Sequence, residues 1–495
     1  MLRTTRIIIA AVFATAITLL FLDFTGTLHT YFHWLAHLQF FPAILSHHIG
    51  ILAALLILTL LLGRMYCSIL CPLGVFQDLV GRISKLFTKK HKNRFSYSKP
   101  LPWLRWGVVA LVIVAFILSY NFIVSILDPY ASYGRMVHTF LQPLYKYAGN
   151  FLAYLAERAD SYAFYRTEIV LYAGATLVVA IVSFFVVGIM AWRGGRSYCN
   201  TVCPVGTVLG LVSKFSFFKI RMATANCNKC GLCERSCKSS CIDSKNQHID
   251  HSRCVACMNC LNVCKQQALT YSAPQKNTFS LAEENIDTSR RSFLSIAGLF
   301  ALSTAVKAQD IKMDGGLAVI EDKKIPDRQT PILPAGSENA KQFSQRCTAC
   351  QLCVSVCPNH VLRPSNELSS LMQPHVSFER GFCRPECTKC GEVCPSRAIQ
   401  RVTKEEKSSI KIGSAVWIKN NCVVFADGVR CNNCARHCPT GAIQMIPVDA
   451  ENTDSLAFPH VNNERCIGCG ACEFMCPSRP FSAMFVNGVE THRVI

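Results

Sequence analysis

The sequence predicts a multidomain fold: an α-helical membrane bundle that carries two α+β ferredoxin-like iron–sulfur domains. Three observations predict it. Four apolar runs are long enough to span a bilayer. Hydrophobic residues make up 51% of the 495, and mean hydropathy is positive, an excess typical of chains with membrane segments. The 29 cysteines outnumber the 27 glycines, and most fall at ferredoxin spacings.

The apolar runs are about 5–24, 46–63, 103–123 and 168–191, giving four main transmembrane helices. The loop 25–45 holds no Lys or Arg, whereas 64–99 holds Arg64, Arg82, Lys85, Lys89, Lys90, Lys92, Arg94 and Lys99. By the positive-inside rule the N-terminus, the 64–99 loop and the chain just after 191 face the cytoplasm. Loops 25–45 and 124–167 face outward.

A repeat lies inside this membrane domain, 1–219. GRMYCSILCPLG (63–74) matches GRSYCNTVCPVG (195–206) at Gly, Arg, Tyr, both Cys, Pro and the last Gly. The unit is read as a duplicated two-helix element. Duplication places Cys67, Cys71, Cys199 and Cys203 at equivalent levels, facing one another. C-x3-C on a helix puts both thiols on one face, and Pro72 and Pro204 then break the chain. An iron–sulfur cluster, another metal, a redox dithiol pair and buried structural cysteine all stay open for these four.

Residues 220–280 form a cytoplasmic two-cluster domain. CNKCGLCERSC (227–237) and CVACMNCLNVC (254–264) are both C-x2-C-x2-C-x3-C, the bacterial ferredoxin run, in which the fourth cysteine serves the other cluster. The sets are Cys227, Cys230, Cys233 with Cys264, and Cys254, Cys257, Cys260 with Cys237. Lys238 and Lys265 replace the usual proline after each run, and Cys241 is an extra thiol able to replace Cys237. Zinc is the competitor, but a third cysteine at this spacing has no tetrahedral role.

Residues 346–495 form a four-cluster domain. Its groups are Cys347, Cys350, Cys353, Cys357; Cys383, Cys387, Cys390, Cys394; Cys422, Cys431, Cys434, Cys438; and Cys466, Cys469, Cys472, Cys476. Each ends in Cys-Pro, at Pro358, Pro395, Pro439 and Pro477. The second and third groups have a wider first spacing, read as loop variation. Spacing does not say which group lends its fourth cysteine to which neighbour. Six clusters, the four membrane-edge thiols and Cys241 account for all 29 cysteines, leaving little room for disulfides.

The formal charge of +20 counts cysteines as neutral. Each oxidised 4Fe–4S centre carries roughly minus two with its thiolates, so six cancel about twelve of those charges. Positive-inside loops account for much of the rest. No nucleic-acid fold signature accompanies the lysines. Nor is there a dinucleotide fingerprint, a phosphate loop or a nucleophile–base constellation. His29, His33 and His37 sit four apart on one helical face, but no C-x-x-C-H motif exists. They read as an interfacial helix, with b-type haem as the alternative. Asp128-Pro129 either faces quinol or caps a turn.

Between the two cysteine-dense regions lies SRRSFLSIAGLF (289–300). Arg290-Arg291 before a short apolar run (292–306) and Val306-Lys307-Ala308 read as an internal twin-arginine export signal or anchor, 281–308, giving a fifth crossing. A linker, 309–345, follows.

Residues 1–280 resemble the NapH family of membrane polyferredoxins, and residues 289–495 resemble NapG- and MauM-type exported ferredoxins. The resemblance implies a fusion of two quinol dehydrogenase components that normally sit on opposite sides of one membrane. It implies a multi-pass protein of the bacterial inner membrane, with 220–280 cytoplasmic and 346–495 periplasmic. Its partners would be the quinone pool and a redox enzyme or cytochrome, with no nucleic acid. The chain would act as an electron carrier with quinol dehydrogenase activity in a complex. Two other functions stay in view: a redox-maintenance or assembly factor for another metalloenzyme, and a redox sensor.

Overall fold

The computed structural model describes residues 2–23, 25–87, 95–161, 163–167, 169, 174–273, 321–449 and 455–495. The internal signal with Arg290 and Arg291, and 309–320 of the linker, lie outside the described residues.

Each apolar run carries a helix: Leu2–Leu22, Ile49–Leu62, Pro102–Ile117 and Ala175–Gly194. The first and last are long and apolar enough to cross a membrane. The middle two have 14 and 16 residues, short of the roughly 20 that a span needs. Where four full spans are expected, the described residues show two full-length helices and two shorter apolar ones. Local backbone explains the shortening. Ile49–Leu62 stops at Gly63, whose φ of 73° and ψ of −165° leave the helix by a conformation that favours glycine. Pro102–Ile117 stops before Ser119, which is itself left-handed at φ 62°, and a second helix restarts at Asn121–Leu127. Gly195, with φ 64°, ends Ala175–Gly194, so both repeats open on a helix-terminating glycine.

The cysteine-dense regions build only small two-stranded ribbons. In the first, Lys219–Met222 pairs antiparallel with Leu269–Ser272, Ile220 opposite Tyr271. In the second, Ile410–Trp417 pairs with Met484–Val494 and Ile443–Pro447 with Ala457–Val461. Such ribbons are marginal alone. Their interiors are instead filled by thiols: Cys350, Cys353, Cys434, Cys466 and Cys472 share one core with Ile332, Phe378 and Val486.

The two regions dock on opposite ends of the helical unit. Residues 219–273 sit at the end where the repeats lie: Phe217 and Phe218 N–H donate to Leu60 and Leu61 carbonyls at 2.7 and 2.8 Å, and the Tyr271 hydroxyl donates to Leu62 O at 2.9 Å. Residues 321–495 sit at the other end. Ile17, Leu20 and Phe21 of the first helix join the core of that domain, the Lys389 ammonium donates to Thr25 O at 2.8 Å, and His37 Nδ1 bonds Pro395 O at 3.1 Å.

Candidate functional site

The repeat explains itself in three dimensions. Each copy runs from the helix-ending glycine into a short helix, Met65–Ile69 or Ser197–Thr201, and then into a longer one, Pro72–Phe87 or Pro204–Lys214. Proline opens the longer helix, where its missing N–H costs nothing. Cys71 and Cys203 stand in the turn just before it. The two thiols of a pair are therefore not stacked on one continuous helix, because the chain breaks between them. That is a correction to the one-face expectation.

All four thiols nonetheless gather. Cys71 lies within electrostatic reach of Cys199 and Cys67, and Cys203 within reach of Cys199, Cys71 and Cys67. Each is buried. Gln77 Nε2 donates to Cys199 Sγ at 3.1 Å and Arg64 Nη2 to Cys67 Sγ at 3.8 Å, which supports negative sulfur there. The second glycine of each motif lets the long helix close onto the short helix of its own copy and onto the arginine of the other, Arg196 against Gly74 and Arg64 against Gly206. A Cβ on Gly74 would stand 2.4 Å from Cys67 O, and one on Gly206 would stand 2.1 Å from Cys199 O.

Asp78, which the sequence reading passed over, anchors this end. It receives Arg196 Nε and Nη2 at 2.8 Å each and Lys238 Nζ at 2.5 Å. Burial raises the carboxyl's pKa, but Arg196 and Lys238 outweigh burial and hold it below the usual carboxylate range. Lys238, the residue in place of the usual proline, thus ties the first ferredoxin unit to the helical one.

In that unit Cys254, Cys257, Cys260 and Cys237 lie within electrostatic reach of one another. Cys227, Cys230 and Cys233 form the second set, and Cys264 packs on the same core. Cys241 sits beside the first set, with its Sγ 3.5 Å from Cys237 Sγ and within bonding reach of Cys254.

The structure groups the fourth cysteines, whose partners spacing left open. Cys394 joins Cys347, Cys350 and Cys353, and Cys357 joins Cys383, Cys387 and Cys390. Cys476 joins Cys422, Cys431 and Cys434, and Cys438 joins Cys466, Cys469 and Cys472. Each fourth cysteine crosses to the partner group of its own pair. The Cys383 N–H donates to Cys469 O at 2.9 Å, linking the two pairs.

Between the ends runs a buried polar column. Tyr66 and Tyr198, from the two repeats, lie within electrostatic reach of Asp128. Asp128 caps the Pro129–Met136 helix, accepting from Tyr130 and Ala131 N–H at 3.1 and 3.2 Å. It is thus a capping residue. On that helix Arg135, fully buried, donates to Ser125 O at 2.8 Å and to Ala349 O at 3.3 Å. Ala349 precedes Cys350, so the column reaches the last domain. Of the three histidines four apart, His29 and His33 have local partners and His37 reaches the last domain. His29 Nδ1 bonds Asp23 at 3.1 Å, His33 Nδ1 bonds His29 O at 3.0 Å, and His37 holds Pro395.

The donor sets suit a cubane cluster. Among the described residues no three His, Cys, Asp or Glu side chains converge as they would on one ion. The thiols instead surround a volume. One cavity is lined by Cys422, Cys431, Cys434 and Cys476, and another by Cys357, Cys383, Cys387 and Cys390. Lys407 Nζ donates to Cys383 Sγ at 3.4 Å, compensating sulfur charge.

Comparison with known proteins agrees. Residues 49–91 and 175–222, one repeat each, match a 4Fe-4S binding domain. Residues 429–479 and 250–361 match 4Fe-4S dicluster domains. The last match joins cysteine runs that are neighbours in sequence but lie at opposite ends of the fold. The ferredoxin-type protein NapG of Escherichia coli K12 is 30% identical over 181 residues, covering 34% of this chain and 77% of NapG. The chain belongs to the ferredoxin-type 4Fe–4S proteins. The ferredoxin-type protein MauM of methylamine utilization, from Methylobacillus flagellatus, is 28% identical over 32% of this chain and 70% of its own length. The putative electron transport protein YccM of E. coli K12 is 27% identical over 49% of this chain and 61% of its own length. No solved structure matches. As a ferredoxin-type protein the chain is an iron–sulfur electron carrier.

Proposed function

We propose that this ferredoxin-type protein carries electrons across the bacterial cytoplasmic membrane, from quinol to an exported redox enzyme or cytochrome. One observation carries the reading: cysteine sets dock at both ends of the helical unit, with Cys67, Cys71, Cys199 and Cys203 and the Tyr66–Asp128–Arg135 column between them. The first helix alone, at 21 residues, is about 31 Å long, close to the hydrocarbon thickness.

In this reading the helical unit is multi-pass. Residues 220–280 face the cytoplasm. Arg290-Arg291 direct 346–495 outward, to the end that bears the 25–45 loop. The twenty-four ferredoxin cysteines hold six 4Fe–4S clusters, and the four CxxxCP thiols hold a further centre. The clusters supply one-electron redox centres. The chain's own residues bury the thiols, exclude water and set the local field through Lys407, Gln77 and Arg64, the levers that tune such centres.

The test is reduction of the purified full-length protein by a short-chain quinol. The expected result is bleaching of the iron–sulfur absorbance, blunted in C71S and C203S. Reduction by dithionite but none by quinol at equilibrium would reject the quinol assignment.

A further inference from the structure

We infer that the cleft where the Leu2–Leu22 and Pro72–Phe87 helices meet the first ferredoxin unit binds the phosphodiester of an anionic phospholipid. The inference rests on the membrane reading above.

Charge is the first argument. Arg3, Arg6, Arg82, Lys85 and Lys238 line the cleft against a single carboxylate, Asp78. That carboxylate is already engaged by Arg196 and Lys238, with Arg6 Nη1 3.6 Å away. Among the described residues the cleft is therefore strongly cationic. Arg6 is only 5% exposed, yet its Nε has no hydrogen-bond partner, and neither does the buried Nε of Arg3. Buried donors left unmade are costly, and a phosphodiester supplies the charge-assisted acceptors that guanidinium groups favour.

Shape is the second. Through Arg6, Ile7, Asp78 and Arg82 the cleft continues into a groove walled by Ala10, Ala14, Val75 and Phe76. The groove follows the first helix to Thr18, twelve residues or about 18 Å, the reach of an acyl chain. Its rim residues Ala11, Thr15 and Leu79 are exposed, so chains can enter sideways from a bilayer. A free phosphate would fill the head of this site and leave the groove empty. Basic pockets between membrane helices at the cytoplasmic face are where anionic headgroups bind. Lys238 and Asn259 bring the ferredoxin unit to the same cleft, so a bound lipid would fasten that unit to the membrane domain.

The experiment is native mass spectrometry of the full-length, cluster-loaded protein in detergent, with added phosphatidylglycerol, phosphatidylcholine or inorganic phosphate. R82Q/K85Q removes two cations from an exposed helix face, and R158Q is the control at a distant exposed site. The phosphatidylglycerol adduct should weaken about tenfold or more in R82Q/K85Q and not in R158Q, with iron–sulfur absorbance unchanged. Phosphatidylcholine should not be retained, and millimolar phosphate should not displace the lipid. Equal retention in R82Q/K85Q, equal binding of both lipids, or displacement by phosphate would overturn the assignment. Carbonate extraction of the same cells reports on the membrane reading separately. Release into the soluble fraction would overturn both, and membrane retention with lost lipid discrimination would overturn the lipid site alone.

Discussion

Arg64 and Arg196 cross over: each guanidinium donates to the backbone carbonyl of the first cysteine in the other repeat, Arg64 to Cys199 O at 3.2 Å and Arg196 to Cys67 O. The exchange staples the two copies together around their four thiols. The two arginines differ in what else they hold. Arg64 also holds Asn200 Oδ1 at 2.9 Å, Ser252 O at 3.0 Å and the Cys67 sulfur at 3.8 Å, whereas Arg196 forks onto the carboxylate of Asp78.

That difference sets a ranking. Arg196→Met strips the forked partner from a mostly buried carboxylate, leaving it to Lys238, and should cost toward the lower end of about 3–5 kcal/mol. Arg64→Met leaves carbonyl and amide acceptors and the Cys67 sulfur without this donor, with no carboxylate stranded, and should cost about 1–3 kcal/mol. Thermal unfolding of the purified protein checks the order, and a larger loss at Arg64 would contradict it.

The glycines at the end of each repeat admit no side chain. Gly74→Ala and Gly206→Ala place a methyl within 2.4 and 2.1 Å of a carbonyl oxygen of the same copy, and within 2.5 and 2.9 Å of the other copy's Arg196 and Arg64 guanidinium groups, which disrupts the crossed arginine contacts. Each should lower the melting temperature and loosen the thiol set, read as faster alkylation of Cys67 and Cys199. Gly50→Ala, with nothing within 4 Å, should be neutral or stabilising by up to about 1 kcal/mol from helix propensity.

The cysteine exchange in the last domain is directly testable. Cys394→Ser should disturb the centre of Cys347, Cys350 and Cys353, and Cys357→Ser that of Cys383, Cys387 and Cys390. Each variant should lose up to about four irons per chain and a different paramagnetic signal of the reduced protein. If Cys394→Ser instead affected the Cys383 centre, the pairing would be wrong.

Docking of the last domain should depend on pH through His37. Burial, reinforced by Arg401, His33 and His48, pushes its pKa down to about 4, against the favourable bond to Pro395 O. The undocked ring, with a pKa near 6.5, binds more protons, so stability rises with pH. The contribution is complete above about pH 6.5 and is lost as pH falls toward 4. Protease release of 346–495 should accelerate between pH 7 and 5, and His37→Gln should flatten that response.

Legibility in the sequence followed locality. Three of the four cysteines in most sets sit within a few residues, so spacing alone groups them. The fourth crosses between groups, and only tertiary packing reveals that Cys394 turns to Cys350 and Cys357 to Cys390. The repeat announced Gly, Arg, Tyr and Cys as a unit. That Arg196 reaches Cys67 of the other copy is a long-range fact with no local trace. Hydropathy located all four apolar helices but not their ends, because Ser119 and Gly63 stop them through backbone geometry. Asp78 and Arg135 were missed because one charged residue in an amphipathic stretch looks like any solvated charge. Only burial shows that each holds two units together.

The most direct test of the account is the side of the membrane that bears residues 346–495. A reporter after Ile495 and protease access in spheroplasts would be compared between the wild type and R290K/R291K. The account predicts an exposed last domain that becomes protected in the double variant, with residues 220–273 protected in both. A last domain protected in both would contradict a carrier that joins the two faces of the membrane.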